Sequence, residues 1–415
     1  MSIPEVTHAG EPAWLSELRS KAQLAASQAG LPTAAEEEWR YSPIDEIDIS
    51  AYSPVAAPSE PKSSQFIGDD AVSDAAVLID TVDGHVVSVD VRREAGVQVV
   101  QAAKSADAVP VGGVYDGELD VFAQLNLALA PDPLVIRIAR GAVIDGPIVV
   151  RHHISADGAL IAPRTTVVAG EDCEVTVIEV VTSDEVKALV LPVTELALSQ
   201  AARVKYLVVQ NLAPSVWQIA SQVSTIEADG LLATNAVALG GAYARLRTDT
   251  RMVGRGAEGD ITAVYLGEGD QSLDFRTFQT HVAPHTRSNL EFRGAVDDNS
   301  RSIYTGLIRI EKDARAVEAF QTNRTIKLSE TAWAESVPNL EIENNDVKCS
   351  HASAVGPIDA EQQFYLESRG VPTAIAERLV VQGFFSDIVA RTPHAGIGSV
   401  VDSLIASRLQ NEVAS

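Results

Sequence analysis

The chain has 415 residues, of which 46% are hydrophobic and 21% charged, so it is long enough for two or three globular domains. Its 32 basic and 57 acidic residues give a formal net charge of −25, which argues against binding to nucleic-acid phosphates or anionic membranes. No uncharged apolar run approaches the roughly 20 residues of a membrane span, and the first residues lack a secretory signal pattern. We therefore expect a cytoplasmic protein with no nucleic-acid or membrane partner.

The sequence contains two cysteines, Cys173 and Cys349, which rules out a disulfide framework and fits a reducing compartment. Two thiols are too few for a four-thiolate iron–sulfur or zinc site within this chain. Cys173 alternates with Val175 and Val177 in a strand-like run, so we interpret it as a small buried core residue.

Residues 1–65 are predicted to form an N-terminal helical region and a linker. Apolar residues recur at helical spacing from Pro12 to about Gly30, where Gly30 and Pro32 end the pattern. The acidic-aromatic run Glu36-Glu37-Glu38-Trp39-Arg40-Tyr41 follows. The segment 53–64 is rich in Pro, Ser and Ala, which is typical of a linker or a loosely packed surface segment.

The texture changes from about Ala71 to Ser329, where short apolar runs alternate with Gly, Asp and Asn turns, and this pattern predicts strands. One helix is predicted at Val121–Ala130. Because few helices separate the strands, a doubly wound α/β fold is disfavoured, and periodicity alone leaves a sandwich and a β-solenoid open. The clearest predicted strands are Leu134–Ile138, Ile148–Val150, Thr165–Val168, Glu174–Val181, Val204–Val209, Val216–Ile226 and Ile261–Tyr265.

After Ser350 the pattern becomes helical. Asp359 is placed to cap a first helix that ends at Gly370. A second helix is predicted from Pro372 to about Val389, and a third over roughly Val400–Leu409.

The string from Gly254 to Gly259 matches a dinucleotide-binding fingerprint, but a strand pattern follows it where that motif requires a helix. We therefore interpret it as a turn. The sequence has no Walker A string, so we do not expect this chain to hydrolyse ATP.

Two histidine pairs have ligand-like spacing, but we favour structural roles for both. His281 and His285 are separated by Pro284, which argues against the helical face that such metal sites use. His152 and His153 are predicted to point to opposite faces of a strand, as ordinary surface and core residues.

Cys349-Ser350-His351 joins a soft thiolate ligand to an imidazole with one residue between them. In an extended segment, positions i and i+2 face the same way, so both side chains can reach one metal or one sulfur species. On spacing alone, a core cysteine and a hydrogen-bonded histidine remain the blander alternative.

The stretch from His281 to Gly370 resembles the SufB/SufD family of iron–sulfur cluster assembly scaffolds, and within it the SufD branch. EEEWRYSPI at 36–44 is similar to a short N-terminal motif of that family. Ala352 stands where SufB sequences carry Glu, and Ala352-Ser353-Ala354 replaces the usual Gly-Ala-Thr. The matching pieces are HVAPHTRSNLEFRGAVDDNSRSIYTGLIRI (281–310), AFQTNRTIKLSE (319–330), PNLEIENNDVKCSHASAVGPID (338–359) and FYLESRG (364–370).

This resemblance implies a mainly β fold with α flanks: a right-handed parallel β-helix core at 66–350 and a C-terminal helical domain at 351–415. It implies a non-catalytic subunit that forms a heterodimer with a SufB-like scaffold. It also implies that His351 and Cys349 help to hold a transient iron–sulfur cluster at the interface between the two subunits. Family complexes are also associated with a reduced flavin, for which the sequence shows no site.

The resemblance further implies that the C-terminal helices dock a SufC-like ABC-type ATPase. The residues expected in this contact are Phe364, Tyr365, Arg369 and Gly370.

Two alternatives remain open. One is a β-solenoid polysaccharide-processing enzyme, for which Asp297 with Asp298, or Asp270 with Asp274, would supply paired carboxylates. The other is a structural subunit that positions its partners without touching metal.

Overall fold

The middle of the chain winds into a β-solenoid of about eight turns, with helices towards both ends of the chain. The structure, a computed structural model, describes residues 10–57, 66–93, 95–114 and 120–411. The strands are β1 (Ser53–Pro54), β2 (Val77–Val82), β3 (His85–Val91), β4 (Val97–Gln101), β5 (Leu134–Ile138), β6 (Ile148–Ile154), β7 (Ala159–Ile161), β8 (Arg164–Ala169), β9 (Glu174–Ser183), β10 (Ala188–Val190), β11 (Val193–Leu198), β12 (Arg203–Asn211), β13 (Trp217–Ile226), β14 (Leu231–Ala238), β15 (Tyr243–Met252), β16 (Glu258–Gly267), β17 (Ser272–His281), β18 (Arg287–Val296), β19 (Arg301–Ile310), β20 (Val317–Lys327), β21 (Trp333–Ile342) and β22 (Val347–Pro357). The α-helices are α1 (Ala13–Ala29), α2 (Val121–Leu129), α3 (Ala360–Ser368), α4 (Thr373–Val389) and α5 (Ala395–Asn411).

Successive strands alternate between two sheets, so that from β11 onward each strand pairs in parallel with the second strand after it. The sheets run in the orders β21-β19-β17-β15-β13-β11-β8-β5-β4 and β22-β20-β18-β16-β14-β12-β9-β6-β2-β3. Paired residues lie one turn apart in sequence: Leu231 lies opposite Glu258, and Arg287 opposite Glu318. This parallel pairing decides between the sandwich and the solenoid, and the predicted β-helix with helical flanks is confirmed.

Alternation along each strand produces the solenoid core. In β18, Leu290 and Phe292 are buried while the residues between and beside them are partly or fully exposed. Aromatic rings of successive strands pack edge to face in the solenoid interior. The ring centroids are 5.5 Å apart for Phe275 and Phe292 and 5.2 Å apart for Phe292 and Tyr304. Each such pair contributes about 0.5–1.5 kcal/mol beyond the area it buries.

The N-terminal segment fastens to the outside of the larger sheet. The predicted first helix is confirmed as α1, and the predicted Val121–Ala130 helix as α2, against which α1 packs. Trp39 is buried with the Arg245 guanidinium 3.7 Å from its ring centroid, and the carbonyl oxygens of Glu38 and Arg40 accept hydrogen bonds from Arg245 and Arg276. The Glu38 carboxylate pairs with Arg247 at 2.8 Å, so an aromatic and an acidic side chain of this run both have arginine partners on the sheet. Residues 58–65 of the predicted linker lie outside the described residues.

The last strand continues past the position where we expected the helical region to start. β22 runs through residue 351 to Pro357, and the helices begin at Ala360. The Asp359 carboxylate caps α3 by accepting from the N–H groups of Glu361 and Gln362, as predicted. α5 starts at Ala395, about five residues earlier than its apolar pattern indicates, because two glycines weaken the helix signal of its first turn.

α4 and α5 cover the smaller sheet. Phe385, Ile397 and Val401 are buried in one cluster with Val264 and Leu266 of β16. Among the described residues, no helix is long and apolar enough to cross a membrane.

Candidate functional site

The C-terminal end of the solenoid is an open edge in the described part of the chain. β21 pairs only with β19, and β22 only with β20, so each ends its sheet. An edge strand leaves a row of backbone N–H and C=O groups without ladder partners. The last turn also leaves apolar side chains uncovered: Ile342 of β21 and Val355 of β22 are 44% and 41% exposed.

Cys349 and His351 lie on this last turn and share its inward face. Register places Cys349 opposite Ala319, and His351 opposite Gln321. Ala319 and Gln321 are buried in the solenoid interior, so their partners also face inward at the open end. The strand therefore does what the spacing predicts and brings the thiol and the imidazole to one face.

The two candidate ligands differ in environment. Cys349 is half-buried and packs against the cluster of Ile308, Val317 and Ala319, whereas His351 is exposed. Burial raises the pKa of the Cys349 thiol, so the free chain holds it protonated at neutral pH. Binding of iron at this thiol must therefore be accompanied by loss of its proton.

A cluster of polar side chains lies next to these two residues at the open end. Its members are Gln321 and Asn323 of β20, Ser336 of β21 and Ser353 of β22. The Asn323 amide nitrogen donates to Ser336 Oγ at 2.9 Å, and Ser353 Oγ donates to Ser336 Oγ at 2.7 Å. Both amide atoms of Gln321, and Oδ1 of Asn323, are buried without a hydrogen-bond partner. The sequence analysis did not find this polar cluster, since only the strand register shows which residues of Gln321-Thr322-Asn323 face inward.

No group of three or more His, Cys, Asp and Glu side chains is placed to hold a metal ion anywhere in the described residues. Cys349 and His351 thus form a two-donor arrangement rather than a closed metal site. Such a site needs further ligands from outside this chain before it resembles the four-ligand sites of zinc or iron–sulfur clusters.

Two of the predicted structural residues are confirmed. Cys173 is fully buried and shares a cluster with Val175 and Val177. His281 is fully buried, with its ring nitrogens 2.7 Å from Thr286 Oγ1 and 3.0 Å from Ser288 Oγ. Burial lowers the pKa of His281 to about 3, so the ring is neutral at physiological pH.

His285 does not join His281 at a metal site. It is exposed and occupies a turn with a φ of 63°. The prediction for the other histidine pair was wrong in part, because His152 and His153 are both buried and neither is a surface residue. The reason is that β6 lies inside its sheet with both faces covered.

The glycine-rich string is a turn, as interpreted, and β16 begins at Glu258. Gly256 has a φ of 73°, which favours glycine. A Cβ on Gly254 would lie 1.9 Å from the backbone nitrogen of Ala228, so the close stacking of two turns requires glycine at that position.

The carboxylates considered for an enzyme have structural surroundings. Asp274 is fully buried and ion-paired with Arg245 and Arg276. Asp270, Asp297 and Asp298 lie in turns between strands, where Asp270 accepts from the Asn299 side chain.

The residues predicted to dock an ATPase form an exposed surface on α3 and the following turn. Phe364 is 71% exposed and Tyr365 58% exposed, and the Arg369 guanidinium lies 5.1 Å from the Tyr365 ring centroid. Gly370 ends the helix with a φ of 86°. A groove of about 980 Å³ runs between α3 and α4, and its apolar lining includes Tyr365, Leu366, Leu379, Val380 and Phe384.

Comparison with known proteins gives one family. A family model described as "SUF system FeS cluster assembly, SufBD core domain" matches residues 152–384. An iron–sulfur cluster assembly SufBD family protein of Mycobacterium tuberculosis is 35% identical over 205 residues, which are 48% of this chain and 52% of that protein. The chain thus spans about half the length of the mycobacterial relatives it matches.

Two more distant relatives align over nearly their whole length. The iron–sulfur cluster assembly protein SufD of Bacillus subtilis is 26% identical, with 96% of this chain and 95% of that protein covered. SufD of Escherichia coli is 25% identical, with 92% of this chain and 90% of that protein covered.

Proposed function

This chain belongs to the SufBD core family of the SUF system for FeS cluster assembly, and we propose that it acts there as a SufD-like, non-catalytic scaffold subunit. The observation that carries this proposal is the inward-facing pair Cys349 and His351 at the open end of the solenoid. In this proposal the nascent cluster is cargo, held for a time and then passed on.

A partner must complete the site, because the residues that the structure describes offer only two suitable donors in one place. We assign the missing ligands to a SufB-like scaffold that pairs with the open edges of β21 and β22. Adding strands to an exposed sheet edge gives affinity through main-chain hydrogen bonds. It would also cover the apolar side chains of the last turn.

A second partner is needed for energy, since the sequence has no Walker A string. We assign a SufC-like ATPase to the apolar surface around Phe364 and Tyr365. Exposed apolar patches next to a groove mark interaction sites. The only residues between β22 and α3 are Ile358 and Asp359, so movement of α3 by the ATPase would reach the strand that carries His351.

We assign no residue of this chain to a flavin. His351 would bind iron through a neutral ring nitrogen, and Cys349 would bind iron as a thiolate after losing its proton. A site with few thiolates is suited to release of its cargo.

The test is anaerobic co-expression of this chain with SufB-like and SufC-like partners, followed by assay of iron and acid-labile sulfide in the purified complex. The variant is His351→Asn, and the matched control is His285→Asn, the same substitution at another exposed histidine. Asn tolerates the positive φ of residue 285.

We expect His351→Asn to lower both iron and sulfide in an intact complex, while His285→Asn retains native amounts. Native iron and sulfide in the His351→Asn complex would reduce the chain to a positioning subunit. If the native chain co-purifies with neither partner, the scaffold proposal itself is overturned.

A further inference from the structure

Gln321 is a buried amide at the open end whose hydrogen-bonding atoms have no partner. Its side chain is 2% exposed, and neither Oε1 nor Nε2 is hydrogen-bonded. Native proteins rarely leave a buried polar side chain in this state, because it has lost its hydrogen bonds to water without replacement. Gln279 lacks a partner only for Oε1, whereas Gln321 lacks one for both amide atoms, and this difference indicates that something supplies a partner to Gln321.

Neighbouring residues make room for this amide. A Cβ on Gly306 of β19 would lie 2.6 Å from Gln321 Nε2 and 2.2 Å from Tyr304 Oη. A side chain at position 306 would therefore displace the amide, and glycine leaves it extended into the lumen between the two sheets.

The residue next to Gln321 in the ladder is His351. In-register residues of neighbouring parallel strands lie roughly 4.8 Å apart, and their inward side chains stack on one another. Because β22 is the last strand, His351 is the only described residue paired with Gln321 on the open side.

We propose that Gln321 is a positioning residue for His351, an inference that rests on the proposed function. Gln321 Oε1 accepts a hydrogen bond from one ring N–H of His351 when the imidazole turns inward to face the cargo. This bond fixes the tautomer and leaves the other ring nitrogen to bind iron. Metal-binding histidines almost always have such a partner for the second nitrogen.

The test uses Gln321→Met, which keeps the length of the side chain and removes both hydrogen-bonding groups. Gln321→Glu keeps an acceptor oxygen and serves as the rescue variant. Gln279→Met is the matched control, since Gln279 is also buried with an unpaired Oε1 but lies on β17 of the other sheet, where it pairs with Ile308 rather than with a residue of the last turn. Each variant chain is purified in complex with the SufB-like and SufC-like partners and loaded anaerobically with Fe²⁺ and sulfide.

Two quantities are measured: retention of iron against a competing chelator, and the melting temperature of the free chain. We expect Gln321→Met to retain iron about 10- to 100-fold less well, while its free chain melts at a higher temperature because an unpaired amide has been removed. Gln321→Glu should retain iron nearly as the native complex does, and Gln279→Met should be native in retention. A structural role alone would lower both quantities together.

Native iron retention in Gln321→Met, with loss in His351→Asn, would overturn this inference and leave the proposed function standing. Equal losses in Gln321→Met and Gln321→Glu would also overturn it, because the amide nitrogen rather than the oxygen would then be required. Native retention in His351→Asn would overturn the site itself and this inference with it.

Discussion

At the scale of single residues, the pKa of the Cys349 thiol is determined by its position at the edge of a buried cluster. Burial raises the pKa of its thiol, so the thiolate forms only at higher pH than in an exposed cysteine. We expect Cys349 in the free chain to be alkylated by iodoacetamide more slowly at pH 8 than a small free thiol, with the rate still rising above pH 9. Mass spectrometry of the Cys349 peptide measures this. Alkylation as fast as that of a free thiol would contradict the prediction.

His281 provides a pH dependence of stability that has no part in the proposed site. Burial lowers its pKa to about 3 from the ordinary 6.5. Between pH 6.5 and pH 3, the unfolded chain therefore binds a proton at this residue that the folded chain does not bind. The free energy of unfolding should therefore fall as the pH drops from 6.5 towards 3, by about 1.4 kcal/mol per pH unit from this residue. Urea unfolding at pH 7, 6 and 5 measures it. His281→Gln should show a smaller slope, and His285→Gln the native slope; equal slopes in all three proteins would contradict the assignment.

The spacing of Cys349-Ser350-His351 was sufficient to predict that the thiol and the imidazole share a face, because strand alternation is a local property. Gln321 was not found in this way. Its neighbour in the ladder is 30 positions further along the chain, and the pairing depends on the lengths of β21 and of the turns on either side of it. Asp274 was considered only as an acid of the alternative enzyme, and its ion pair with Arg245 could not be predicted for the same reason, since Arg245 comes from another turn.

At the scale of elements, the segment around Trp39 holds the N-terminal region on the solenoid. Trp39 is 3% exposed and lies beneath Arg245. We expect Trp39→Ala to lower the free energy of unfolding by about 3–5 kcal/mol, the usual range for a large aromatic residue lost from a core. Tyr41→Ala is the control: Tyr41 is 45% exposed, so the loss should stay below about 1 kcal/mol. Chemical denaturation compares the two, and equal losses would contradict this description of the segment.

The two proposed partner surfaces lie on different elements and should separate by mutation. Val355→Lys places a charge on the open edge of β22, where a paired strand would bury it, so binding of the SufB-like partner should be lost. Phe364→Asp changes only the exposed surface of α3, so binding of the SufC-like partner should be lost instead. Pull-down of each variant with each partner measures both effects. Loss of both partners in one variant whose free chain is folded would contradict two independent surfaces.

Element positions were predicted well where the signal is local. The α1, α2 and α3 boundaries follow from capping residues and apolar spacing. The solenoid repeat was not visible, because the distance between paired residues varies from turn to turn: Leu231 and Glu258 are 27 positions apart, and Arg287 and Glu318 are 31. Because the loops differ in length, the regular repeat of the strands does not appear as a constant spacing in the sequence.

At the scale of the whole molecule, the chain is a β-solenoid whose open C-terminal end carries Cys349 and His351, with α4 and α5 packed on its smaller sheet. Periodicity predicted the strands and left the solenoid open; the family resemblance selected it. The further ligands that the proposed function assigns to a partner are beyond prediction from this sequence, because they would be encoded in another chain.

The measurement that tests the central claim most directly asks whether His351 binds the cargo. The loaded complex would be prepared with ¹⁵N-histidine in this chain only, and its bound cluster reduced and studied by pulsed electron paramagnetic resonance. We predict a ¹⁵N coupling of a coordinated imidazole that persists in His285→Asn and disappears in His351→Asn. Iron bound in the native complex without any histidine coupling from this chain would contradict the account.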